Sequence, residues 1–435
     1  MSNTLNPPPR QQHDFKRVAI LFAGGPAPAA NAVISAAAAS FLKAGVEVVG
    51  IKNGYSNLID FCPEQALEEG KQFIHVSHQF LARSRNKQGI LIGTARSNPG
   101  RQIQSPKDLL DQEKSEPLRR TYQALRSIDV DALISIGGDD TLKTANKFKL
   151  FQATMQPAQK RIPIVHLPKT IDNDYHGIDF TFGYFTAVEF LASEIRNLIH
   201  DAEACNAYFV AETMGRSAGW LAYGAAIAGE ASLVISVEDI IGDYRTNETY
   251  VNEQGQAVSR EVMNIDRVVK RIVKSMLARE LEGKQFGVVV LAEGLAEQLP
   301  FDFIRNISRD EHGHISISEV NLCDVFTTAI AAEFESQTGR QRKIKGVQLG
   351  YESRCAKPHA FDVMLGSQLG VGAYRALVEK QHDGVMVSVS GQLDLHYEDF
   401  ENLVDPETLV TRVRHIEPGS DFHFLARFLE THVNE

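Results

Sequence analysis

Short apolar runs alternate along the first half of the chain with longer segments whose apolar residues recur at helical spacing. The apolar runs of strand length are residues 17–22, 46–51, 132–136 and 162–167. Residues 32–43 and 118–128 carry the helical spacing. Strands that alternate with helices are typical of a parallel sheet whose faces are covered by helices. The pattern therefore predicts an α/β fold, and the chain of 435 residues has the length of two large domains.

Acidic residues follow two of these apolar runs. The run 132–136 is followed by GGDD (137–140), and the run 162–167 is followed by PKTIDND (168–174). In open α/β sheets, ligands bind beyond the carboxyl ends of the strands. We therefore expect the one lysine and four aspartates of these two motifs to form a single site. Two surface turns would explain the glycine, aspartate and asparagine, but they would not explain the gathering of charge.

Two further junctions between strands and helices suit a negatively charged ligand. Residues 23–31 (AGGPAPAAN) predict a turn whose backbone N–H groups and following helix would face an anion. This turn matches neither common phosphate-binding motif, and a tight turn without a ligand is an equal alternative. Residues 88–96 predict a strand that ends at Arg96. An arginine at that place can bind phosphate, although a solvated surface arginine explains it equally well.

A serine hydrolase is an alternative interpretation of the middle of the chain. Residues 207–211 predict a strand and residues 217–228 a helix, and the turn between them contains MGR. Residues 215–219 fit G-x-S-x-G, with Ser217 in the strand–turn–helix context of a nucleophile elbow. This interpretation leaves GGDD and PKTIDND without a role.

The rest of the second half predicts further elements of the same kind. Residues 241–260 are polar and predict an irregular surface excursion. Residues 287–291 predict a strand, and Glu293 just beyond it is either a hydroxyl acceptor or an exposed loop acid. Residues 385–395 predict a pair of strands, and residues 422–433 predict a C-terminal helix.

Charge and cysteine content narrow the class of protein. A net charge of −10 and a pI near 5.8, without a basic stripe, argue against a nucleic-acid surface. The four cysteines are scattered, which argues against a zinc site or a disulfide framework and favours a reducing, cytoplasmic setting. Residues 18–42 carry no charge, but their glycines and prolines favour a strand, a turn and a helix over a membrane span. Residues 1–14 predict a disordered tail.

Seven motifs, taken in order, resemble those of the phosphofructokinase family and, within it, of the pyrophosphate-dependent branch. They are GGPAPAAN (24–31), IGTAR (92–96), GGDD (137–140), PKTIDND (168–174), MGR (214–216), AEG (292–294) and LGYESR (349–354). The resemblance covers residues 15–377, and the combination of GGDD with PKTIDND is highly specific. It implies two Rossmann-like lobes with parallel sheets, the phosphofructokinase fold, and an active site in the cleft between the lobes.

The resemblance also implies a division of the chain and a set of partners. Residues 15–183 and 356–400 would form the lobe that binds pyrophosphate and Mg²⁺. Residues 184–355 would form the sugar-phosphate lobe, including the excursion at 241–260, and residues 401–435 would be a C-terminal extension. The expected substrates are pyrophosphate and fructose 6-phosphate, without nucleic acid or membrane. A homo-oligomer is expected, with a dimer favoured over a tetramer.

Roles for individual residues follow from the resemblance. Asp172 would be the base that takes the proton of the sugar 1-hydroxyl, and Thr170 and Asp174 would orient it. Asp139 would hold Mg²⁺, a cation that prefers oxygen ligands. The diphosphate would contact Gly24, Gly25 and Arg96. The acceptor would be bound by Met214, Gly215, Arg216, Glu293, Tyr351 and Arg354, with the arginines at its phosphate.

At two positions, the resemblance implies which phosphoryl donor the protein uses. ATP-using relatives carry glycine at the positions of Asp140 and Lys169. The Asp140 carboxylate would lie where the α-phosphate of a nucleotide would sit, which disfavours ATP. Lys169 would stabilise the charge that develops on the pyrophosphate leaving group. The expected reaction is reversible, Mg²⁺-dependent phosphoryl transfer from pyrophosphate to the 1-hydroxyl of fructose 6-phosphate.

Three positions depart from the family pattern. Ala29 stands where the first turn usually has glycine, and alanine resists positive φ. Ala207 and Lys345 stand where relatives have arginines that reach the sugar-phosphate site of a neighbouring subunit. Ala29 and Ala207 leave a further alternative, a catalytically silent regulatory or sugar-phosphate-binding protein, although Asp139, Lys169 and Asp172 argue against it. Acceptance of sedoheptulose 7-phosphate stays open.

Overall fold

The chain divides into two compact units, and each is described by itself. The computed structural model describes residues 5, 11–251, 255–305, 307 and 319–433, so most of the tail predicted at residues 1–14 lies outside the described residues. Unit 1 consists of Met1–Thr170, Tyr175–Thr186 and Arg354–Arg412. Unit 2 consists of Ile171–Asp174, Ala187–Ser353 and Val413–Glu435. The residues predicted as a C-terminal extension are therefore shared between the two units.

Strands and helices alternate through most of the described chain. The strands are β1 (Arg17–Ala23), β2 (Glu47–Ile51), β3 (Phe73–Val76), β4 (Ala132–Gly137), β5 (Ile164–Pro168), β6 (Ala207–Thr213), β7 (Leu233–Ile235), β8 (Arg245–Val251), β9 (Ala257–Met263), β10 (Gly287–Ala292), β11 (Lys343–Leu349), β12 (Val385–Ser390) and β13 (Asp394–Asp399). The α-helices are α1 (Ala30–Ala44), α2 (Ser56–Ile59), α3 (Gln112–Ser127), α4 (Asp139–Ala153), α5 (Tyr184–Cys205), α6 (Trp220–Gly229), α7 (Ile265–Leu281), α8 (Phe301–Ile304), α9 (Leu322–Thr338), α10 (Ala360–Tyr374), α11 (Phe400–Leu403) and α12 (Asp421–Leu429).

Unit 1 is built on a mainly parallel sheet whose described strands have the order β13-β12-β5-β4-β1-β2-β3. The central strands are buried on both faces, which explains why their sequences are continuous apolar runs. The register places Ala23 of β1 opposite Gly137 of β4, and Gly137 opposite Pro168 of β5. The glycine turn, GGDD and PKTIDND therefore begin at adjacent strand ends, as the sequence predicted.

Unit 2 contains a parallel sheet whose described strands have the order β11-β6-β10-β7. Thr213 at the end of β6 pairs with Ala292 of β10 on one side and Leu349 of β11 on the other. MGR, AEG and LGYESR therefore also begin at adjacent strand ends. Together the two sheets confirm the predicted α/β class with mainly parallel strands.

The strand predicted at residues 88–96 is wrong. This segment is irregular, and Gly89 and Gly93 have φ of 73° and 69°, values that an extended strand does not tolerate. The backbone is held instead by side chains of neighbouring segments. The Asn31 amide, for example, accepts from Leu91 N at 2.8 Å and donates to Gly89 O at 3.0 Å. Arg96 consequently lies in a loop and not at a strand end.

The irregular excursion predicted at residues 241–260 is also corrected by the structure. Strands β8 and β9 pair in antiparallel register, with Arg245 opposite Met263 and Val251 opposite Ala257. Most positions of β8 are exposed. The sequence therefore lacks the apolar alternation by which a half-buried strand is recognised.

The first turn keeps a left-handed residue although alanine replaces glycine. Ala29 has φ 62° and ψ 9°, immediately before α1, and is buried. The uncharged residues 18–42 form β1, this turn and most of α1. No helix in the described part of the chain is long and apolar enough to span a bilayer.

A buried carboxyl group joins the start of α10 to the start of α5. Oδ2 of Asp362 accepts hydrogen bonds from Thr186 N at 2.7 Å and from Thr186 Oγ1 at 2.5 Å. The His359 amide in turn donates to Thr186 Oγ1 at 2.9 Å. Burial raises the pKa of Asp362 to about 6, because the charged form loses its hydration.

The Asp362→Asn variant tests the cost of this burial. A carboxyl group whose pKa is raised by folding contributes stability below its unfolded pKa near 4, and that contribution is lost as the pH rises through 6. Asparagine cannot ionise, so the free energy of unfolding of the wild type relative to the variant should fall by about 2 kcal/mol between pH 4 and pH 7. Urea unfolding at both pH values measures it, with Asp60→Asn at an exposed site as control. A difference that does not change with pH contradicts the prediction.

Candidate active site

The glycine turn after β1 meets the segment that contains Arg96. Gly24 has φ 88°, its N–H donates to Ala95 O at 2.9 Å, and its carbonyl accepts from Thr94 Oγ1 at 2.7 Å. A side chain is not tolerated easily at a φ of this size. The two segments predicted to contact the diphosphate are therefore hydrogen-bonded to each other within unit 1.

The ammonium group of Lys169 lies beside two glycine turns. A methyl group at Gly24 would lie 3.7 Å from Lys169 Nζ, and a methyl group at Gly138 would lie at the same distance. The lysine is 6% exposed. These two turns follow adjacent strands, and the structure shows that a buried lysine lies beside both of them.

Arg354 lies beside the glycine turn after β1, which is predicted to contact the diphosphate. A methyl group at Gly25 would come within 2.7 Å of Nη1 of Arg354, so the glycine leaves the space that the guanidinium fills. Arg354 begins the segment Arg354–Arg412 of unit 1, whereas Tyr351 belongs to unit 2. The sequence had grouped both residues with the acceptor, and the structure assigns them to different units.

The two acids of GGDD share one lysine. Asp139 and Asp140 form the first turn of α4, where a helix N-terminus favours negative charge. Nζ of Lys143, one turn further along, lies 2.8 Å from Oδ2 of Asp139 and 2.8 Å from Oδ1 of Asp140. The hydroxyl of Thr411 donates to the other oxygen of Asp139. Crowding by protein atoms raises the pKa of Asp139, although part of its side chain reaches solvent, and Lys143 opposes that rise.

Sequence reasoning missed both partners of the GGDD acids. The spacing of Lys143 from Asp140 and Asp139 is that of ion pairs on one helix face, and this signal could have identified it. Thr411 is 272 residues away from Asp139 along the chain, and no local pattern points to it.

Two buried side chains, His166 and Tyr175, hold the end of β4 in place. The carbonyl of Gly137 accepts from Lys169 N at 2.9 Å and from the Tyr175 hydroxyl at 3.0 Å. Nε2 of His166 lies 3.1 Å from that hydroxyl oxygen, and burial lowers the pKa of His166 to about 3. The imidazole is therefore neutral. Since the tyrosine proton is used on Gly137, the imidazole N–H is the donor to the tyrosine oxygen.

The loop Ile171–Asp174, which carries the predicted base Asp172, belongs to unit 2. It follows Thr170, whose carbonyl accepts from Thr181 Oγ1 at 2.8 Å. Within unit 2 the loop contacts Arg414, which donates from its backbone N to Asp174 O and from Nη2 to Asn173 O, both at 2.8 Å. Arg414 lies outside every motif of the sequence analysis.

Most of the predicted acceptor residues meet at the strand ends of unit 2. The Gly215 amide, at φ 127°, donates to Oε1 of Glu293 at 3.1 Å. A methyl group at Gly350 would come within 2.9 Å of Met214 Cγ. Arg216 forms an ion pair with Glu297 at 3.2 Å. The structure thus brings MGR, Glu293 and the start of LGYESR together, and Tyr351 is exposed just beyond them.

The alternative of a serine hydrolase finds no support in the part of the chain that the structure describes. Within the residues that the structure describes, Ser217 makes no hydrogen bond to a histidine. The glycine that ends the pentapeptide has a structural role, because the Gly219 amide donates to both carboxylate oxygens of Glu238, at 3.0 and 3.1 Å.

The two departures in unit 2 have contrasting environments. Ala207 is fully buried at the start of β6. Lys345 pairs with Asp201 at 3.6 Å and lies over the Phe209 ring at 5.1 Å from its centroid. Lys345 therefore has partners within its own unit.

The donor set fits a magnesium ion that is shared with substrate phosphates. No group of three or more His, Cys, Asp or Glu side chains that could hold a metal occurs among the described residues. Mg²⁺ commonly uses one or two carboxylates, with water and phosphate oxygens as its other ligands. Asp139 and Asp140 offer such carboxylates beside the turns predicted to contact the diphosphate. The ammonium group of Lys143 already pairs with carboxylate oxygens of both aspartates.

Comparisons with known proteins agree with the resemblance. The family model described as Phosphofructokinase matches residues 17–377. A pyrophosphate–fructose 6-phosphate 1-phosphotransferase of Thermotoga maritima is 30% identical, covering 95% of this chain and 90% of its own. An ATP-dependent 6-phosphofructokinase 2 of Clostridium perfringens is 29% identical, covering 90% of this chain and 94% of its own. The relatives therefore share a family and differ in donor.

Solved structures share the fold. A phosphofructokinase from Saccharomyces cerevisiae matches 89% of this chain at a TM-score of 0.65 and 21% identity, and this chain spans 45% of the yeast chain. A pyrophosphate-dependent phosphofructokinase from Marinobacter aquaeolei matches 97% of this chain and 93% of its own, at a TM-score of 0.63 and 16% identity. At these identities the matches show the fold alone, and they confirm the fold that the resemblance implied.

The position of Lys143 predicts competition with a divalent cation. The Lys143→Met variant removes the ammonium from Asp139 and Asp140, so Mg²⁺ should bind the substrate-free protein more tightly. The expected gain is roughly 5-fold, the equivalent of about 1 kcal/mol for one lost partly exposed ion pair. Calorimetric titration with Mg²⁺ measures it directly.

Lys149→Met is the matched control for this measurement. Lys149 lies on the same helix and pairs with Glu401 at 3.8 Å. Its replacement removes the same charge without touching GGDD. Equal Mg²⁺ affinity of the two variants would remove Lys143 from the metal site.

Proposed function

The chain belongs to the phosphofructokinase family, and we propose that it transfers a phosphoryl group from pyrophosphate to the 1-hydroxyl of fructose 6-phosphate. The products are fructose 1,6-bisphosphate and phosphate. The reaction is reversible, because pyrophosphate and phosphate differ little as phosphoryl partners. The protein is an enzyme of the phosphotransferase class, and its relatives with 30% and 31% identity are named for this reaction.

The buried ammonium of Lys169 is the observation that carries the choice of donor. It lies beside Gly24, in the turn that we propose for the diphosphate, and beside Gly138 of GGDD. A fixed cation in a partly dry site stabilises an anion more than the same cation in water does. Pyrophosphate is compact and highly charged, so it can use this position fully. Asp140, at the start of α4, disfavours the additional phosphate of a nucleotide.

Magnesium completes the charge balance in this proposal. Asp139, with Asp140 beside it, would hold the ion together with phosphate oxygens. When bound, the ion supplies Lewis-acid neutralisation of the phosphates. Thr411 fixes the second oxygen of Asp139 and so fixes the direction of the other.

Asp172 takes the proton of the sugar 1-hydroxyl as that oxygen attacks phosphorus. Thr170 and Asp174 orient the loop and the hydroxyl. A carboxylate at this point needs only to be ionised and correctly aimed, because phosphoryl transfer depends mainly on positioning and on charge stabilisation.

Met214, Gly215, Arg216, Glu293 and Tyr351 form the proposed acceptor site in unit 2. The amide of Gly215 already donates to Glu293, which fixes that carboxylate for a substrate hydroxyl. Arg354 is proposed for the acceptor phosphate, and its guanidinium beside Gly25 also reaches the proposed diphosphate turn.

The setting of the enzyme is part of the same proposal. Unit 1 would bind the donor and unit 2 the acceptor. The enzyme would act in the cytoplasm, in glycolysis or gluconeogenesis, as a homo-oligomer with a dimer favoured over a tetramer. A coupled assay with Mg²⁺ and fructose 6-phosphate, comparing pyrophosphate with ATP as donor, tests the function. Activity with neither donor would favour the silent sugar-phosphate-binding protein.

The Asp172→Asn variant tests the base. Asparagine preserves the size of the side chain and cannot accept the proton, so kcat should fall roughly 10²- to 10⁴-fold while KM for fructose 6-phosphate changes little. Asp179→Asn is the control, an exposed aspartate a few residues further along the chain. Near-normal turnover of Asp172→Asn would assign the base elsewhere.

The Asp140→Gly and Lys169→Gly variants test the choice of donor separately. Asp140→Gly should raise kcat/KM for ATP relative to pyrophosphate by about 10-fold or more, because a repulsive charge is removed. Lys169→Gly should lower pyrophosphate turnover without admitting ATP. Steady-state kinetics with both donors measure the ratio. A ratio that Asp140→Gly leaves unchanged refutes exclusion by charge.

A further inference from the structure

The C-terminal segment Val413–Glu435 belongs to unit 2, and its first residues contact the loop Ile171–Asp174 of the same unit. The Arg414 amide donates to Asp174 O, and Nη2 of Arg414 donates to Asn173 O, each at 2.8 Å. One residue therefore binds two consecutive peptide carbonyls directly after Asp172. Asn173 has φ 55°, a left-handed conformation that asparagine adopts more readily than most other residues.

Arg414 is itself held on its other side. Its carbonyl accepts from Nε1 of Trp220 at 2.9 Å, and its guanidinium carbon lies 4.6 Å from the centroid of the Trp220 ring. Trp220 also stacks on Phe422 with ring centroids 5.1 Å apart. Arg414 is thus fixed between the start of α6 and the loop.

The residues after Arg414 fasten the segment further. The Ile416 amide donates to Oε1 of Glu238 at 3.1 Å, and Glu238 also accepts from the Gly219 amide. Glu238 and Ile416 are both buried. The segment therefore docks through fully enclosed bonds and is more than a surface tail.

We propose that Arg414 is a positioning residue for the base, and that Arg414 and Trp220 form a clamp that aims the carboxylate of Asp172. The proposal rests on the proposed function for the role of Asp172. The two hydrogen bonds hold the carbonyl groups of the two residues after Asp172, and they thereby restrain the backbone from which the Asp172 side chain projects. A displacement of about 1 Å at a reacting group can cost 100-fold in rate. The segment predicted as a C-terminal extension is then part of the active site.

The same stretch of chain touches the metal site. Thr411, three residues before Arg414, donates to Asp139 within unit 1. Two side chains from one short stretch thus contact the two segments that carry Asp139 and Asp172.

The Arg414→Met variant tests the clamp, because methionine fills similar space without the hydrogen bonds. We expect kcat with pyrophosphate to fall about 10- to 100-fold, with KM for both substrates within a factor of about three. The emission maximum of Trp220 should shift, since it is the single tryptophan of the chain. Arg412→Met, an exposed arginine two residues earlier, should change neither kcat nor emission.

Amide hydrogen exchange of substrate-free protein provides a readout that needs no activity. Peptides that cover Ile171–Asp174 should exchange faster in Arg414→Met than in the wild type and in Arg412→Met. If the wild type lacks pyrophosphate-dependent activity, the proposed function fails, and this exchange decides whether Arg414 holds the loop.

The conservative variant Arg414→Lys keeps the proposal testable if Arg414→Met does not fold. Lysine keeps the charge and can donate to one of the two carbonyls, so kcat should lie between those of the wild type and Arg414→Met. A wild-type kcat for Arg414→Met, or a lower melting temperature with unchanged kcat, would overturn the proposal and leave Arg414 with a purely structural role. Unchanged exchange of the loop would overturn it as well.

Discussion

The carbonyl oxygen of Gly137 is the fixed point on which the donor side of the site depends. It accepts from the backbone N of Lys169 and from the hydroxyl of Tyr175. Each bond is worth only about 1 kcal/mol, but a buried carbonyl deprived of both would be far more costly. His166 holds the tyrosine and is kept neutral by burial. These bonds fix the backbone at the end of β5. The Lys169 side chain therefore lies beside Gly24 and Gly138.

Charge balance is the second constraint on the site. Lys143 neutralises Asp139 and Asp140 at the start of α4, and Lys169 is nearly enclosed beside Gly24 and Gly138. Uncompensated buried charges are expensive, so a site that handles phosphates and a divalent cation needs internal partners before they arrive. In the proposed function, binding of the ligands would exchange one set of ionic partners for another. In the proposed function, such an exchange would account for the position of Lys143 beside Asp139 and Asp140.

The sequence predicted the features that local pattern determines. Continuous apolar runs identified the central strands, because both faces of a parallel sheet are buried, and GGDD and PKTIDND do begin at the ends of adjacent strands. The hairpin of β8 and β9 was missed because its exposed strands carry no apolar alternation. The false strand at residues 88–96 arose from an apolar run whose glycines have positive φ. Thr411 and Arg414 were missed for another reason, since a contact made by a distant loop has no local signature.

The three departures from the family pattern are accommodated locally within the structure. Ala29 keeps the left-handed turn although its methyl group strains the backbone by about 1–2 kcal/mol. Glycine would relieve that strain but would lose the burial of one methyl group, worth about 0.8 kcal/mol, and would gain freedom in the unfolded chain. The two choices nearly balance, so alanine can stand in the turn without disturbing Gly24 and Gly25. Ala207 is buried and Lys345 is paired with Asp201, so neither side chain is arranged as an arginine that reaches towards another subunit. Both side chains are therefore accounted for by contacts within unit 2.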